Sequence, residues 1–135
     1  MPKIVIDPFP DDEALNQLWR RAWGATAARA FGPLLARSLV HVGALEDGRL
    51  VGFVNVAWDG GVHAFILDTC VDPAWRRQGI ATALVRQAAE AARARGAEWL
   101  HVDFEPQLEG FYRGCGFRPT AAGVLWLGAG RQPAM

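Results

Sequence analysis

The sequence of 135 residues lacks the features that define several large classes of protein. Its two cysteines, Cys70 and Cys115, are too few for a disulfide framework, and neither has metal-ligand spacing to a histidine. No run approaches the ~18 apolar residues that span a bilayer, and residues 1–10 hold no long apolar segment typical of an export signal. These absences predict reduced thiols, no bound metal, no membrane partner and a cytoplasmic location.

The chain also has no excess of positive or negative charge. The chain has 14 basic and 14 acidic side chains, so its formal net charge is zero. A protein that binds duplex nucleic acid normally presents a basic surface, and the balance therefore argues against a nucleic-acid partner. Hydrophobic residues make up 51% of the chain, which is ample for a core. No repeat or linker interrupts it, so we predict one domain over residues 1–135.

Hydrophobic periodicity predicts the element order β-α-α-β-β-β-α-β-α-β-β. In the first half we predict a strand, two helices, the second interrupted near Gly32-Pro33, and three antiparallel strands: Lys3–Ile6, Ala14–Trp23, about Thr26 to Ser38, Leu39–Leu45, Arg49–Trp58 and His63–Val71. In the second half we predict a long helix, a strand, a short helix and two late strand pieces: Gly79–Arg95, Glu98–Phe104, Gln107–Arg113, Phe117 and Val124–Leu127.

The segment between the strand His63–Val71 and the helix Gly79–Arg95 has the character of an anion site. Backbone N–H groups at a helix N-terminus lack intrahelical partners, and the helix dipole favours negative charge there. The absent or small side chains of Gly79 and Ala81 let a diphosphate approach the backbone. Arg76 and Arg77 add mobile positive charge, and Thr82 adds a hydroxyl.

Two common phosphate-binding motifs do not fit this segment. The Walker A motif requires GxxxxGK[ST], but the single lysine of the chain is Lys3. No GxGxxG stands between a strand and a helix, so a dinucleotide site is also disfavoured.

Two motifs resemble those of the GNAT superfamily of N-acetyltransferases. The residues Arg76-x-x-Gly79-x-Ala81 are similar to its [Q/R]-x-x-G-x-[G/A] pyrophosphate loop, and Phe111-Tyr112-Arg113-Gly114-Cys115-Gly116-Phe117 to its FYxxxGF signature. The predicted element order also matches from Lys3 to Leu127. The resemblance implies an α/β (α+β) GNAT fold, with a mixed central sheet of six to seven strands flanked by about four helices.

The resemblance further implies acetyl-CoA as the donor of an acetyl group that passes directly to a primary amine. The pyrophosphate would lie on the backbone of Arg77 to Thr82, and the pantetheine arm in the gap where the strand ending at Val71 separates from Glu98–Phe104. The implied CoA-binding residues are Cys70, Val71, Arg76, Arg77, Gln78, Gly79, Ile80, Ala81 and Thr82.

Tyr112 is the single tyrosine of the chain, and it occupies the general-acid position of the family signature. The departing CoA thiolate needs a proton, and a phenol with a reference pKa near ~10 remains a neutral donor at working pH. The alternative interpretation is an aromatic side chain that packs beside Phe111.

The base that deprotonates the acceptor ammonium has four candidates: Asp68, His101, Asp103 and Glu105. Each has an alternative structural role, as a solvated or capping carboxylate or as a hydrogen-bonded sheet histidine. Glu105 also departs from the asparagine that many family members carry near this position.

The acceptor is not identified from the sequence. Trp19, Trp23 and Phe31 either belong to the core or line an acceptor site, because the first two helices of the family cover the acceptor side. A non-catalytic acyl-CoA sensor on the same fold is the competing hypothesis, and the resemblance makes a homodimer plausible.

Overall fold

A computed structural model describes residues 1–24 and 27–133. These residues form two compact units, of which the first is Met1–Val102 and the second begins at Asp103. The predicted start of the second helix, near Thr26, lies outside the described residues. The prediction of a single domain over the whole chain stays a prediction.

Among the described residues, the first unit contains a sheet, three α-helices and one 3₁₀ helix. Its strands are β1 (Lys3–Ile6), β2 (Val40–Glu46), β3 (Arg49–Trp58), β4 (His63–Val71) and β5 (Trp99–His101). Its helices are α1 (Asp12–Trp23), α2 (Gly32–Arg37), the 3₁₀ helix Pro73–Trp75 and α3 (Ile80–Ala94). The second unit contains the 3₁₀ helix Pro106–Leu108 and α4 (Glu109–Gly114).

The five strands lie in sequence order in one sheet. β1 to β4 pair antiparallel, whereas β5 runs parallel to β4, so the mixed sheet, the helices and the predicted order up to α4 are confirmed. The prediction of six to seven strands is wrong for the described residues, because neither Phe117 nor Val124–Leu127 forms a strand there. High β-propensity in a short apolar run does not make a strand without a backbone partner.

Two further boundaries correct the predictions. β5 ends at His101 rather than Phe104, because its ladder with β4 stops at the pair Phe65 and His101. In its described part, the second helix begins at Gly32, with Pro33 in its first turn. Proline has no N–H to donate and its φ suits a first turn, so Gly32-Pro33 starts the helix instead of interrupting it.

The long helices begin and end as predicted to within two residues. Asp11 caps α1, since its Oδ1 accepts a hydrogen bond from the backbone N–H of Ala14 at 2.8 Å. Gly24 follows the helix with a φ of 88°.

The helices α1 and α3 pack on opposite faces of the sheet. Phe53 of β3 contacts Trp19 of α1, with ring centroids 5.9 Å apart. Its neighbour Gly52 points the other way, where an added Cβ would lie 3.0 Å from Leu84 and 3.3 Å from Ile80. The glycine therefore lets the start of α3 approach β3 closely, and this contact positions the segment between β4 and α3. None of the helices within the described ranges is long and apolar enough to cross a membrane.

Candidate functional site

The first feature of the site is a β-bulge in β4. Asn55 pairs with Leu67 and Phe53 pairs with Cys70, so two residues of β4, Asp68 and Thr69, stand opposite one residue of β3. Asp68 has a φ of 59°, in the left-handed region that non-glycine residues seldom adopt. Burial raises the pKa of the Asp68 carboxyl, and the charge of Arg29 partly opposes the rise.

The second half of β4 has an open edge. Its parallel ladder with β5 contains three pairs and ends at Phe65. From Leu67 to Val71, β4 pairs with β3 and with no other strand in the described part of the chain. The separation of these two strands agrees with the gap expected for a pantetheine arm.

Cys70 lies in this second half with its side chain in the core. It belongs to a buried cluster with Phe31, Leu15 and Phe53, and burial raises the pKa of its thiol to about 12. Such a thiol stays protonated at neutral pH and is not a nucleophile. Cys70 can therefore serve a ligand through its backbone alone.

Asp72 directly follows β4, and its carboxylate connects α1, β3 and the 3₁₀ helix Pro73–Trp75. Its carboxylate is 1% exposed and accepts hydrogen bonds from Arg21 Nε at 2.5 Å, Arg49 Nη2 at 3.2 Å and the backbone N–H of Ala74 at 2.9 Å. Burial acts to raise the pKa of Asp72, but these hydrogen bonds and charges outweigh it and hold the pKa below its ordinary value. The carboxylate fixes the point at which the chain leaves the sheet.

The chain then turns into α3 through two left-handed residues. Arg77 has a φ of 63° and Gly79 a φ of 81°, with Gln78 between them. Gly79 offers no side-chain cap, and no backbone N–H of residues 80–82 donates to another described residue. These N–H groups lie at the positive end of a helix of 15 residues, at the position where the sequence predicts an anion site.

The expectation that Arg76 adds a mobile positive charge is wrong, because its side chain is held by two hydrogen bonds. Its Nε donates to the backbone oxygen of Val71 at 3.2 Å, and its Nη2 to that of Ala22 at 3.3 Å. The side chain thus connects the turn to β4 and to the end of α1.

His101 occupies a different environment from Asp68. Its Nε2 lies 2.8 Å from Nδ1 of His63, and its ring stacks on Phe65 with centroids 4.9 Å apart. This arrangement agrees with the alternative role of a hydrogen-bonded sheet histidine.

Three candidate residues lie in the second unit. Tyr112 is 6% exposed, and its ring stacks on Phe104 at 5.0 Å and meets Phe111 and Phe117 edge to face. Asp103 is exposed, whereas Glu105 is partly buried and accepts a hydrogen bond from Gln107. Tyr112 is therefore held by aromatic contacts within its own unit.

Sequence reasoning missed Arg21 and Arg49, which hold Asp72 from positions 51 and 23 residues away. It also missed Arg29, which lies next to Phe31 and acts on Asp68. No local pattern indicates such distant partners. Within the described ranges, no group of three or more histidine, cysteine, aspartate and glutamate side chains could hold a metal ion.

The family is established by comparison with known proteins. Residues 6–117 match the family model described as acetyltransferase (GNAT) family. The chain therefore belongs to the GNAT family, as the pyrophosphate-loop and FYxxxGF motifs predict.

Individual relatives agree with this assignment. The mycothiol acetyltransferase of Nocardia farcinica is 31% identical over 102 residues, which are 69% of this chain and 34% of that protein. The chain thus spans about a third of the length of this curated relative. A GNAT family acetyltransferase from Streptococcus pneumoniae has a TM-score of 0.76 at 26% identity, covering 96% of this chain and 100% of that one. An aminoglycoside acetyltransferase from an uncultured soil sample has the same fold, with a TM-score of 0.76 at 19% identity and 96% of each chain covered.

Proposed function

We propose that this chain is an N-acetyltransferase that moves the acetyl group of acetyl-CoA directly to a primary amine. The observation that carries the proposal is the turn into α3, where Arg77 and Gly79 are left-handed and the N–H groups of residues 80–82 have no described acceptor. A pyrophosphate satisfies such groups, and membership of the GNAT family makes CoA the expected carrier.

In this proposal the CoA site extends from the turn along β4. The backbone of Arg77 to Thr82 binds the pyrophosphate, and the pantetheine arm follows the open edge of β4 near Cys70 and Val71. The Val71 oxygen already accepts the hydrogen bond of Arg76, so other backbone groups of β4 are left for the pantetheine. Because these contacts use backbone atoms, the buried Cys70 side chain is compatible with the site.

Among the four candidates, Asp68 is the base that we propose. It lies at the β-bulge on the open half of β4, and the upward shift of its pKa makes its carboxylate a stronger proton acceptor at neutral pH. His101 instead pairs with His63 at the last rung of the β4–β5 ladder. An exposed backbone N–H at the bulge is the proposed donor to the tetrahedral oxyanion.

The reaction balances with one base and one acid. Asp68 takes a proton from the acceptor ammonium, and the neutral nitrogen attacks the thioester carbonyl to form the C–N bond. The tetrahedral intermediate then expels the CoA sulfur as the C–S bond breaks. Tyr112 gives its proton to that thiolate, and the attacking nitrogen loses its second proton to solvent. Solvent then reprotonates the phenolate and takes the proton that Asp68 carries, so each cycle releases one proton.

The test is a thiol-release assay with acetyl-CoA across a panel of amines, with calorimetric titration of CoA alongside. We expect turnover on one class of amine, and Tyr112→Phe should lower kcat by roughly 10²-fold while CoA binding persists. The variant keeps the aromatic ring and its contacts with Phe104, Phe111 and Phe117, so a loss of ring packing does not explain a lower rate. Normal turnover of the variant would contradict the acid role of Tyr112.

Two other outcomes separate the remaining hypotheses. Tight CoA binding without turnover on any amine would favour the acyl-CoA sensor over the enzyme. Absence of CoA binding would overturn the assignment of the turn at residues 76–82. We further propose that residues 1–135 act as one domain and that the chain works in the cytoplasm, a reducing compartment in which the buried thiol of Cys70 stays reduced.

A further inference from the structure

Arg29 is held beside the proposed site by a side chain of α1. Asn16 is 8% exposed, and its Nδ2 donates to the Arg29 backbone oxygen at 2.8 Å. Its Oδ1 accepts from the Arg29 N–H at 3.0 Å, so one amide satisfies both backbone groups of Arg29. Asp12 Oδ1 accepts from the N–H of Phe31 at 2.8 Å in the same way. These bonds fix the backbone that carries the Arg29 guanidinium.

The guanidinium itself has no acceptor in the described part of the protein. It lies over the ring of Phe31, with Cζ 5.1 Å from the centroid, and its side chain makes no hydrogen bond or salt bridge to a described residue. A stacked, exposed guanidinium keeps its N–H donors free for a planar anion, which a carboxylate matches in geometry.

Arg29 is close to the proposed base. Its charge acts on the Asp68 carboxyl, although the two side chains form no salt bridge. The packing of the core independently places the two segments together. Phe31, two residues after Arg29, lies in one buried cluster with Cys70, which is two residues after Asp68. A cation and a carboxylate that stand near each other without pairing are complementary to a ligand that carries both an ammonium and a carboxylate.

We propose that Arg29 binds the carboxylate of the acceptor while Asp68 receives its ammonium group, so that the acceptor is a free amino acid. This inference rests on the proposed acetyltransferase function and names its substrate class. The chemistry is unchanged: the amino nitrogen gains the acetyl group, the C–S bond of acetyl-CoA breaks, and the acceptor carboxylate takes no part in bond making. Arg29 is then a specificity residue.

The test compares each of the standard amino acids with its carboxamide, in which the carboxylate charge is removed and the amine kept. With thiol release as the readout, we expect at least one free acid to have a kcat/KM roughly tenfold or more above that of its carboxamide. Arg29→Gln should raise the KM for that acid roughly tenfold and leave the KM for its carboxamide and the KM for acetyl-CoA unchanged, while any change in the pKa of Asp68 affects the kcat of both acceptors alike. Arg29→Lys should recover part of the loss.

The matched control is Arg37→Gln, which removes an exposed arginine of α2 that donates to Pro33 of its own helix. This variant should change the KM for neither the acid nor its carboxamide. Equal use of acids and carboxamides, or equal effects of Arg29→Gln on both, would overturn the inference and leave the acetyltransferase proposal standing. An effect of Arg29→Gln on the KM for acetyl-CoA alone would assign the residue to CoA and overturn the inference. No acetylation of any acid or carboxamide, while another amine of the panel is acetylated, would overturn the inference and leave the acetyltransferase proposal standing. No acetylation of any amine, with CoA still bound, would overturn both proposals.

Discussion

The guanidinium of Arg76 donates from Nε to the backbone oxygen of Val71 across 3.2 Å, which joins the turn before α3 to the last residue of β4. A second bond, from Nη2 to Ala22 at 3.3 Å, joins the same side chain to α1. Arg76 therefore has a structural role in this chain, because its side chain connects the turn before α3 to β4 and to α1.

Removal of Arg76 should weaken CoA binding more than removal of its neighbour. Arg76→Gln loses one charge and both backbone bonds, and we expect about tenfold weaker binding, which corresponds to ~1.4 kcal/mol. Arg77→Gln loses the same charge from a side chain that makes no such bond to a described residue, and we expect about threefold weaker binding or less. Calorimetric titration with CoA measures both variants. Equal losses of CoA affinity in the two variants would mean that Arg76 contributes to CoA binding through its charge alone.

A methyl group at Gly79 should lower both the stability of the fold and the affinity for CoA. The φ of 81° is costly for alanine, so we expect Gly79→Ala to lower the free energy of unfolding by about 1–2 kcal/mol and to weaken CoA binding. Gly96 at the other end of α3 is a matched control, since its φ is 104° and nothing lies within 4 Å of an added Cβ. Gly96→Ala should show a loss of stability with unchanged CoA affinity. Equal CoA affinity in both variants would argue against the turn as the pyrophosphate site.

The thiol of Cys70 should be unreactive in the native protein. Burial raises its pKa to about 12, so almost no thiolate exists at neutral pH. In a Cys115→Ser background, we expect the aromatic disulfide reagent DTNB to label Cys70 only after denaturation. Labelling in the native state at a rate near that of a free peptide thiol would contradict the buried position of this side chain.

His41 should make the fold sensitive to mild acid. Its ring is 1% exposed; burial, with a smaller effect of Arg95, lowers its pKa, while Asp7 opposes the change. The unfolded histidine therefore binds a proton more readily, and stability should fall as the pH drops below the unfolded value near ~6.5. Chemical denaturation at several pH values measures this slope. In His41→Phe the loss over this window should shrink, and an unchanged slope would assign the sensitivity to other groups.

Local patterns in the sequence determined most of the fold and the family. The period-two runs predicted the bounds of β3 and β4 as observed, the helical period predicted α1 to within two residues, and the motifs around Gly79 and Tyr112 identified the family. These features depend on residues close together in the chain, where periodicity, capping and glycine chemistry act directly.

Only the tertiary structure decided which distant side chains meet. The long-range bonds of Asp72 to Arg21, of Asn16 to Arg29 and of His63 to His101 join residues that no spacing rule relates. The same holds for the late apolar run Val124–Leu127, whose β-propensity predicted a strand that the described structure lacks. Strand formation, ion pairing and burial depend on partners brought together by folding, so the local sequence defines the groups and the packed chain defines their contacts.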